Sequence, residues 1–328
     1  MKEQPILSVE HLSVSFRVSR RQQVTVVRDV SFDLMPGHIL AIVGESGCGK
    51  SVTASAITGL LPHGQGKVSG GHIHYKGQDL TSLREKEYRK LRGREIAMIF
   101  QDPMTSLNPV QRISVQMSEM ICKALHVSRP EALERAAKAL GDVGIPNPEN
   151  RLSAYPFELS GGMIQRVMIA MALAVHPSVL IADEPTTALD VTIQAQVLQL
   201  IQDLRDREGM SVMLITHDMG VVAETADDVM VMYAGEQVEY GVCRDIIGDP
   251  KHPYTSGLLR SLPRLDVDQD TLYSIEGTVP PPVELPGCRF AERCESCFAP
   301  CQNVKPSLAV WDGRQVRCHL YGEVNHHE

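Results

Sequence analysis

Apolar and polar residues alternate from the start of the chain, as in Leu7-Ser8-Val9 and Leu12-Ser13-Val14-Ser15-Phe16. Alternation sends successive side chains to opposite faces, so residues 7–43 read mainly as antiparallel strands with a turn at Pro36-Gly37. Residues 39–43 are instead continuously apolar, the pattern of a strand buried on both faces. Residues 179–182, 212–215 and 229–232 repeat that pattern. Helical periods separate them, which predicts an α/β fold with a mostly parallel sheet.

Between about 105 and 165 the period is helical and predicts an all-helical insertion. Ser128-Arg-Pro-Glu131 reads as a capping box with an early proline, and Leu133, Ala137 and Leu140 as the apolar face behind it. After about 245 the chain turns proline-rich, at Pro250, Pro253, Pro263 and Pro280-Pro281-Pro282. That shift marks a boundary between a domain spanning 1–245 and a small C-terminal module spanning 246–328.

Composition excludes more than it selects. Of 328 residues, 43% are hydrophobic, enough for a large core, and the net charge of −8 argues against a nucleic-acid partner. No apolar run approaches the ~20 residues of a membrane-spanning helix. The amino terminus lacks the apolar stretch of a signal peptide, so a cytosolic chain is expected.

The candidate chemistry begins where the first buried strand ends. Gly44-Glu45-Ser46-Gly47-Cys48-Gly49-Lys50-Ser51 fits the G-x-x-x-x-G-K-[ST] loop, in which glycines let backbone N–H groups turn inward around phosphate oxygens. Lys50 would reach the β- and γ-phosphates and Ser51 a Mg²⁺ ion, with Val52 following in the helix whose N-terminus faces the anion. Such a loop needs an acid at the end of a neighbouring strand. Asp183 and Glu184 end the run 179–182, the first suited to Mg²⁺ through water and the second to polarising an attacking water. The run 212–215 leads into Thr216-His217-Asp218, which brings His217 to the edge where ligands bind in open α/β sheets; contact with the γ-phosphate is expected.

Leu159-Ser160-Gly161-Gly162-Met163, followed by Gln165-Arg166, resembles the signature motif of ABC transporter ATPases. The resemblance extends in order over residues 7–245. Within it Gln101 matches the glutamine that senses nucleotide and contacts Mg²⁺, Ala188-Leu189-Asp190 the D-loop, His217 the switch histidine, and Phe16 the aromatic that stacks on adenine. It implies that Ser160, Gly161 and Gly162 clamp the γ-phosphate of ATP held by an opposing subunit. One departure is Met163, where the family usually carries glutamine.

Gln101-Asp-Pro-Met-Thr-Ser-Leu-Asn108-Pro109, the stretch from Ala182 to Gln196, and His252-Pro253-Tyr254-Thr255 resemble bacterial importers of di- and oligopeptides, a group that includes importers of nickel and metal chelates. His-Pro-Tyr-Thr alone reads as a turn into a helix. The resemblance implies a peripheral ATPase on the cytoplasmic face of the inner membrane, beneath two membrane permease subunits. It further implies pairing with a paralogous ATPase and an extracytoplasmic binding protein that delivers cargo. A soluble ABC ATPase acting on ribosomes or DNA is the competing class; such chains carry fused domains or coiled-coil insertions that this one lacks. Finally, Cys288, Cys294, Cys301 and Cys318 offer four thiolates, with Cys297 a fifth. They suit a [4Fe–4S] cluster or tetrahedral Zn²⁺, and the peptide-importer resemblance implies the cluster.

Overall fold

The computed structural model describes residues 4–19, 22–102, 106–186, 189–262 and 273–322. Pro103, Met104, Thr105, Thr187, Ala188 and Pro263, each part of a motif read above, lie outside them. The chain divides into two compact units, one of Met1–Met35, Ile39–Ser82 and Thr216–Glu328, the other of Pro36–His38 and Leu83–Ile215.

In the first unit, β1 (Leu7–Arg17) pairs antiparallel with β2 (Gln23–Leu34) on one side and β4 (Gly66–Tyr75) on the other, and β5 (Gln78–Asp79) closes the edge. Leu7, Val9, Leu12 and Val14 are buried, as the alternation requires. The register slips between Val9 and Leu12, where His11 takes a left-handed φ of 51°, and this bulge returns the apolar positions to the core face. A second set of strands runs β11 (Ala309–Trp311), β12 (Arg314–Val316), β10 (Glu236–Val242), β9 (Asp228–Tyr233), β3 (Ile39–Val43). β3 and β9 are parallel, and all five residues of β3 are buried. α1 (Lys50–Ile57) follows β3, and α8 (Met219–Thr225) precedes β9.

The residues beyond β10 lie in this same unit. Tyr254 and Phe290 are buried in one apolar cluster with Val43, Val231, Tyr233 and Val238, and Leu258, Ile275, Cys288 and Cys294 pack against it. The proline run is held by side chains: Arg28 donates to Pro282 O at 2.9 Å, and Arg289 to Pro281 O at 2.9 Å and Val283 O at 2.8 Å. Proline has no N–H for a ladder, so its carbonyls take guanidinium donors instead.

In the second unit, β6 (Ile96–Ile99), β7 (Val179–Asp183) and β8 (Ser211–Thr216) are parallel neighbours, with Ile96 opposite Val179 and Val179 opposite Ser211. The four continuous apolar runs thus all form buried strands. The helical stretch contains α3 (Ile113–Leu125), α4 (Arg129–Asp142), α5 (Pro148–Leu152) and α6 (Gly161–Leu173), which runs beyond 165; α7 (Val191–Glu208) follows β7. Two local expectations need correction. Ser128 is the N-cap of α4, but its side chain makes no capping hydrogen bond. The buried stripe of α4 is Ala132, Ala136, Ala139 and Leu140, leaving Leu133 and Ala137 half-buried at its flank. Small residues let this helix lie close to its neighbours, so packing favours the alanines over the larger leucine. Among the described residues no helix is long and apolar enough to cross a membrane.

α10 (Pro253–Arg260) is capped by His252, whose Nδ1 accepts from the Tyr254 N–H at 3.1 Å while its own backbone N–H donates to Glu239 at 2.9 Å. Burial pushes the His252 imidazole down from 6.5 to about 3. The folded chain therefore keeps the ring neutral while the unfolded chain protonates it. Stability from this group is complete above the unfolded value of 6.5 and is lost as pH falls toward 3, by about 1.4 kcal/mol per pH unit. Urea midpoints should fall on acidification from neutral pH, and fall less steeply in His252→Asn, which keeps a capping acceptor without a titrating ring. Parallel decline in both proteins would exclude His252 as the sensor.

Candidate nucleotide site

β3 ends against a loop whose backbone only glycine tolerates. Gly44, Gly47 and Gly49 have φ of 150°, 79° and 103°, and a β-carbon at Gly44 would stand 2.2 Å from Met232 O. Lys50 folds over the loop it follows. Its Nζ donates to Gly44 O at 2.7 Å and Glu45 O at 3.1 Å, and lies 3.7 Å from Cys48 Sγ. Burial pushes the Cys48 thiol up despite the neighbouring ammonium, so the residue is a neutral packing group. Gly49 caps α1 without a side-chain hydrogen bond, and no acidic residue enters the first turn. The helix dipole there is left to favour an anion. Ser46 and Gly47 are exposed, and Ser51 and Val52 are half-buried.

Two further groups of the first unit belong with this loop in the sequence reading. Phe16 is half-buried, with its ring over Gly66, where a β-carbon would come within 3.0 Å of Cε1. His217 is exposed at the end of β8. The turn behind it is fixed: Asp218 N–H donates to Thr216 Oγ1 at 3.1 Å, and Asp218 Oδ1 accepts from Gly220 N–H at 2.8 Å.

The second unit carries the acids. Asp183 is buried at the end of β7. Glu184 follows with a left-handed φ of 46°, a conformation that costs a non-glycine residue on the order of 1–3 kcal/mol. Its N–H donates to Ile215 O at 2.9 Å, and its Oε2 accepts from Gln101 Nε2 at 3.1 Å. α6 begins in the same unit. Ser160 is the N-cap of α6 and its Oγ accepts from Met163 N–H at 3.3 Å. No atom would meet a β-carbon at Gly161, so this N-terminus is open. Met163 is half-buried. Gln165, fully buried, donates to Pro185 O and ties the helix to the segment after β7. Asp190 caps α7, accepting from Ile193 N–H at 3.0 Å.

Sequence reasoning passed over two partners of the loop after β3, Tyr254 and Arg293. Glu45 N–H donates to Tyr254 Oη at 2.9 Å, and the Glu45 carboxylate receives both terminal nitrogens of Arg293 at 2.9 and 3.1 Å. The His-Pro-Tyr-Thr turn, read as a plain helix start, thus delivers a phenol to the loop. The partners are 209 and 248 residues apart, so no local pattern could have paired them.

The model of ABC transporters matches residues 27–187, and that of the oligopeptide/dipeptide transporter C-terminal region matches residues 238–301. The dipeptide transport ATP-binding protein DppD of Bacillus subtilis is 50% identical over 327 residues, covering 98% of this chain and 96% of its own length. The chain belongs to the ABC transporter ATP-binding family. As an ABC ATPase it couples ATP hydrolysis to transport. The oligopeptide transport protein AppD of the same organism is 48% identical, covering 97% of each chain. Among solved structures, the ABC ATPase resembles a dimeric post-hydrolysis state of the ATP-binding cassette MJ0796 bound to ADP and Pi. The TM-score is 0.66 at 25% identity, over 73% of this chain and 99% of that one. CbiO1 from Clostridium perfringens gives a TM-score of 0.61 at 26% identity, over 75% and 92%.

Gly44→Ala should disable the loop, because the added carbon meets backbone rather than a movable side chain. A loss of about 2 kcal/mol or more in urea unfolding is expected, together with loss of ATP binding in a fluorescent-nucleotide titration.

Proposed function

We propose that this ABC ATPase drives the import of di- and oligopeptides through a membrane transporter. The observation that carries the reading is near full-length identity of about half to dipeptide and oligopeptide transport ATP-binding proteins, C-terminal region included. In this reading the protein sits peripherally on the cytoplasmic face of the inner membrane beneath two permease subunits. It pairs with a paralogous ATPase, and an extracytoplasmic binding protein supplies the peptide.

Hydrolysis follows from the residues in place. Backbone N–H groups of Ser46 to Ser51 and Lys50 Nζ hold the phosphates, Phe16 stacks on the adenine, and Val52 lines the start of α1. The hydroxyl of Ser51 and the carboxylate of Asp183, with Gln101, are hard oxygen donors that suit Mg²⁺. When bound, the ion neutralises charge developing on the β- and γ-phosphate oxygens. Glu184 accepts hydrogen bonds from the attacking water and polarises it; the Gln101 amide, already bonded to Glu184, orients it. His217 contacts the γ-phosphate. Ser160, Gly161 and Gly162 serve the nucleotide of the opposing ATPase, and Asp190 fixes the start of α7. Met163 leaves this serine and these glycines in place. Lys50→Ala should abolish ATP binding or turnover. Glu184→Gln should bind ATP yet hydrolyse it at least about a hundredfold more slowly, measured by phosphate release. Retention of most activity in Glu184→Gln would remove it from this role. Uptake assays in a strain lacking the transporter would decide the cargo, with nickel uptake lost instead of peptide uptake overturning the peptide reading.

We further propose that residues 246–328 carry a [4Fe–4S] cluster on Cys288, Cys294, Cys301 and Cys318. Among the described residues no three His, Cys, Asp or Glu side chains are arranged to hold a metal ion, so the reading is carried by the family resemblance, with Zn²⁺ as the alternative. The donor chemistry nevertheless suits a polynuclear group. Burial pushes the Cys288 thiol up to about 12, and Cys301, Cys318 and Cys294 push it the same way. Burial likewise raises Cys318 to about 11, with Cys294 and Cys301 adding to it. Cys288 N–H also donates to Cys301 O at 2.7 Å. When bound, the cluster supplies a covalent staple to a segment with little core of its own. Anaerobically purified protein should contain about four irons per chain, lost in each serine variant of these four but retained in Cys297→Ser. Stoichiometric zinc instead of iron would overturn it.

A further inference from the structure

We propose that Arg293 and Tyr254 position the phosphate-binding loop by gripping Glu45, which makes the C-terminal region a working part of the nucleotide site. Glu45 stands in the loop between Gly44 and Ser46, so the group being gripped is one residue from each. Its carboxylate takes a two-pronged pair from Arg293, whose side chain is only 6% exposed, and its N–H is taken by the fully buried Tyr254. Backbone and side chain of one loop residue are thus both held from the same region.

The grip is rigid because its donor has no freedom left. Arg293 Nε donates to Glu276 O at 2.8 Å, one terminal nitrogen also to Tyr233 Oη at 3.2 Å, and the other also to Ile275 O at 3.1 Å. With the two bonds to Glu45, each of the five guanidinium hydrogens has an acceptor. Burial disfavours the charge on Arg293, but the Glu45 carboxylate and the Tyr233 phenol outweigh it and hold the guanidinium protonated. Tyr254 is fixed in turn by its ring, 4.6 Å from Tyr233 and 5.3 Å from Phe290 between centroids. A nucleotide that must be met by preset N–H groups gains affinity from a loop that does not have to be ordered on binding. Removing either holder leaves Lys50, Ser51 and the glycines intact, so the loss should appear in how tightly ATP binds before it appears in the chemistry.

The proposal rests on the loop's assignment as the ATP site, which a Lys50→Ala control tests separately. In titrations of the full-length chain with a fluorescent ATP analogue and Mg²⁺, Arg293→Met should weaken binding roughly tenfold. Glu45→Gln should weaken it similarly, and the double variant no more than the worse single one, because one residue acts through the other. Arg293→Lys, keeping charge without the fork, should recover part of the loss. Should Arg293→Met fail to fold, Tyr254→Phe keeps the buried ring and removes only the acceptor; affinity should fall severalfold at an unchanged melting temperature. Wild-type affinity in folded Arg293→Met or Tyr254→Phe, or additive losses in the double variant, would overturn the positioning role while leaving the site assignment intact. Undiminished binding in Lys50→Ala would instead overturn the assignment.

Discussion

A loop built from glycines with left-handed backbone has little rigidity of its own, and every chemical property ascribed to this protein depends on how that loop is held. The restraint is the close approach of Gly44 to Met232, where not even a methyl group fits. It fixes the loop's first residue to the end of the neighbouring parallel strand. Gly235 N–H then takes the carbonyl of Cys48 at 3.0 Å, so the far side of the loop is tied to the turn after the same strand. Lys50 is aimed back at the carbonyls of Gly44 and Glu45 and is buried there. The ordering entropy of this loop is thereby lost on folding.

Strain of a different kind marks the second of the two adjacent acids. Glu184 keeps a backbone conformation that most side chains avoid, held by the hydrogen bond from its N–H to Ile215. The result is that the carboxylate turns away from the line of β7 and meets Gln101, while Asp183 stays buried in the strand end. Two adjacent acids with different surroundings can carry different tasks. The consecutive left-handed turn separates them.

Much of this was legible in the sequence, and the limits of legibility have a physical pattern. Runs such as Ile39–Val43 announce buried strands because both faces must be apolar, and the places of Lys50 at a helix start, Ser160 at an N-cap and Asp183 at a strand end are legible through neighbours a few residues away. Ser128 was misread because a capping residue in the right place does not oblige its side chain to make the bond. The face of α4 was misplaced because alanines yield a weak hydrophobic signal yet permit the closest packing. Tyr254 and Arg293 were invisible as loop contacts for a simpler reason: their partner lies more than two hundred residues earlier in the chain, and only the tertiary fold brings them together.

The shared apolar cluster beneath β9 and β10 has a consequence for anyone who would trim this protein. Tyr254 and Phe290 cover Val231, Tyr233 and Val238, and β12 pairs with Glu239 and Tyr240 on the outer edge of β10. Cutting the chain at residue 245 would bare a continuous oily face and an unpaired strand edge at once, the two features that make fragments self-associate. The nucleotide-binding portion of this chain is therefore no detachable cassette, and a shortened version would be selected against for solubility before its catalysis could be assayed.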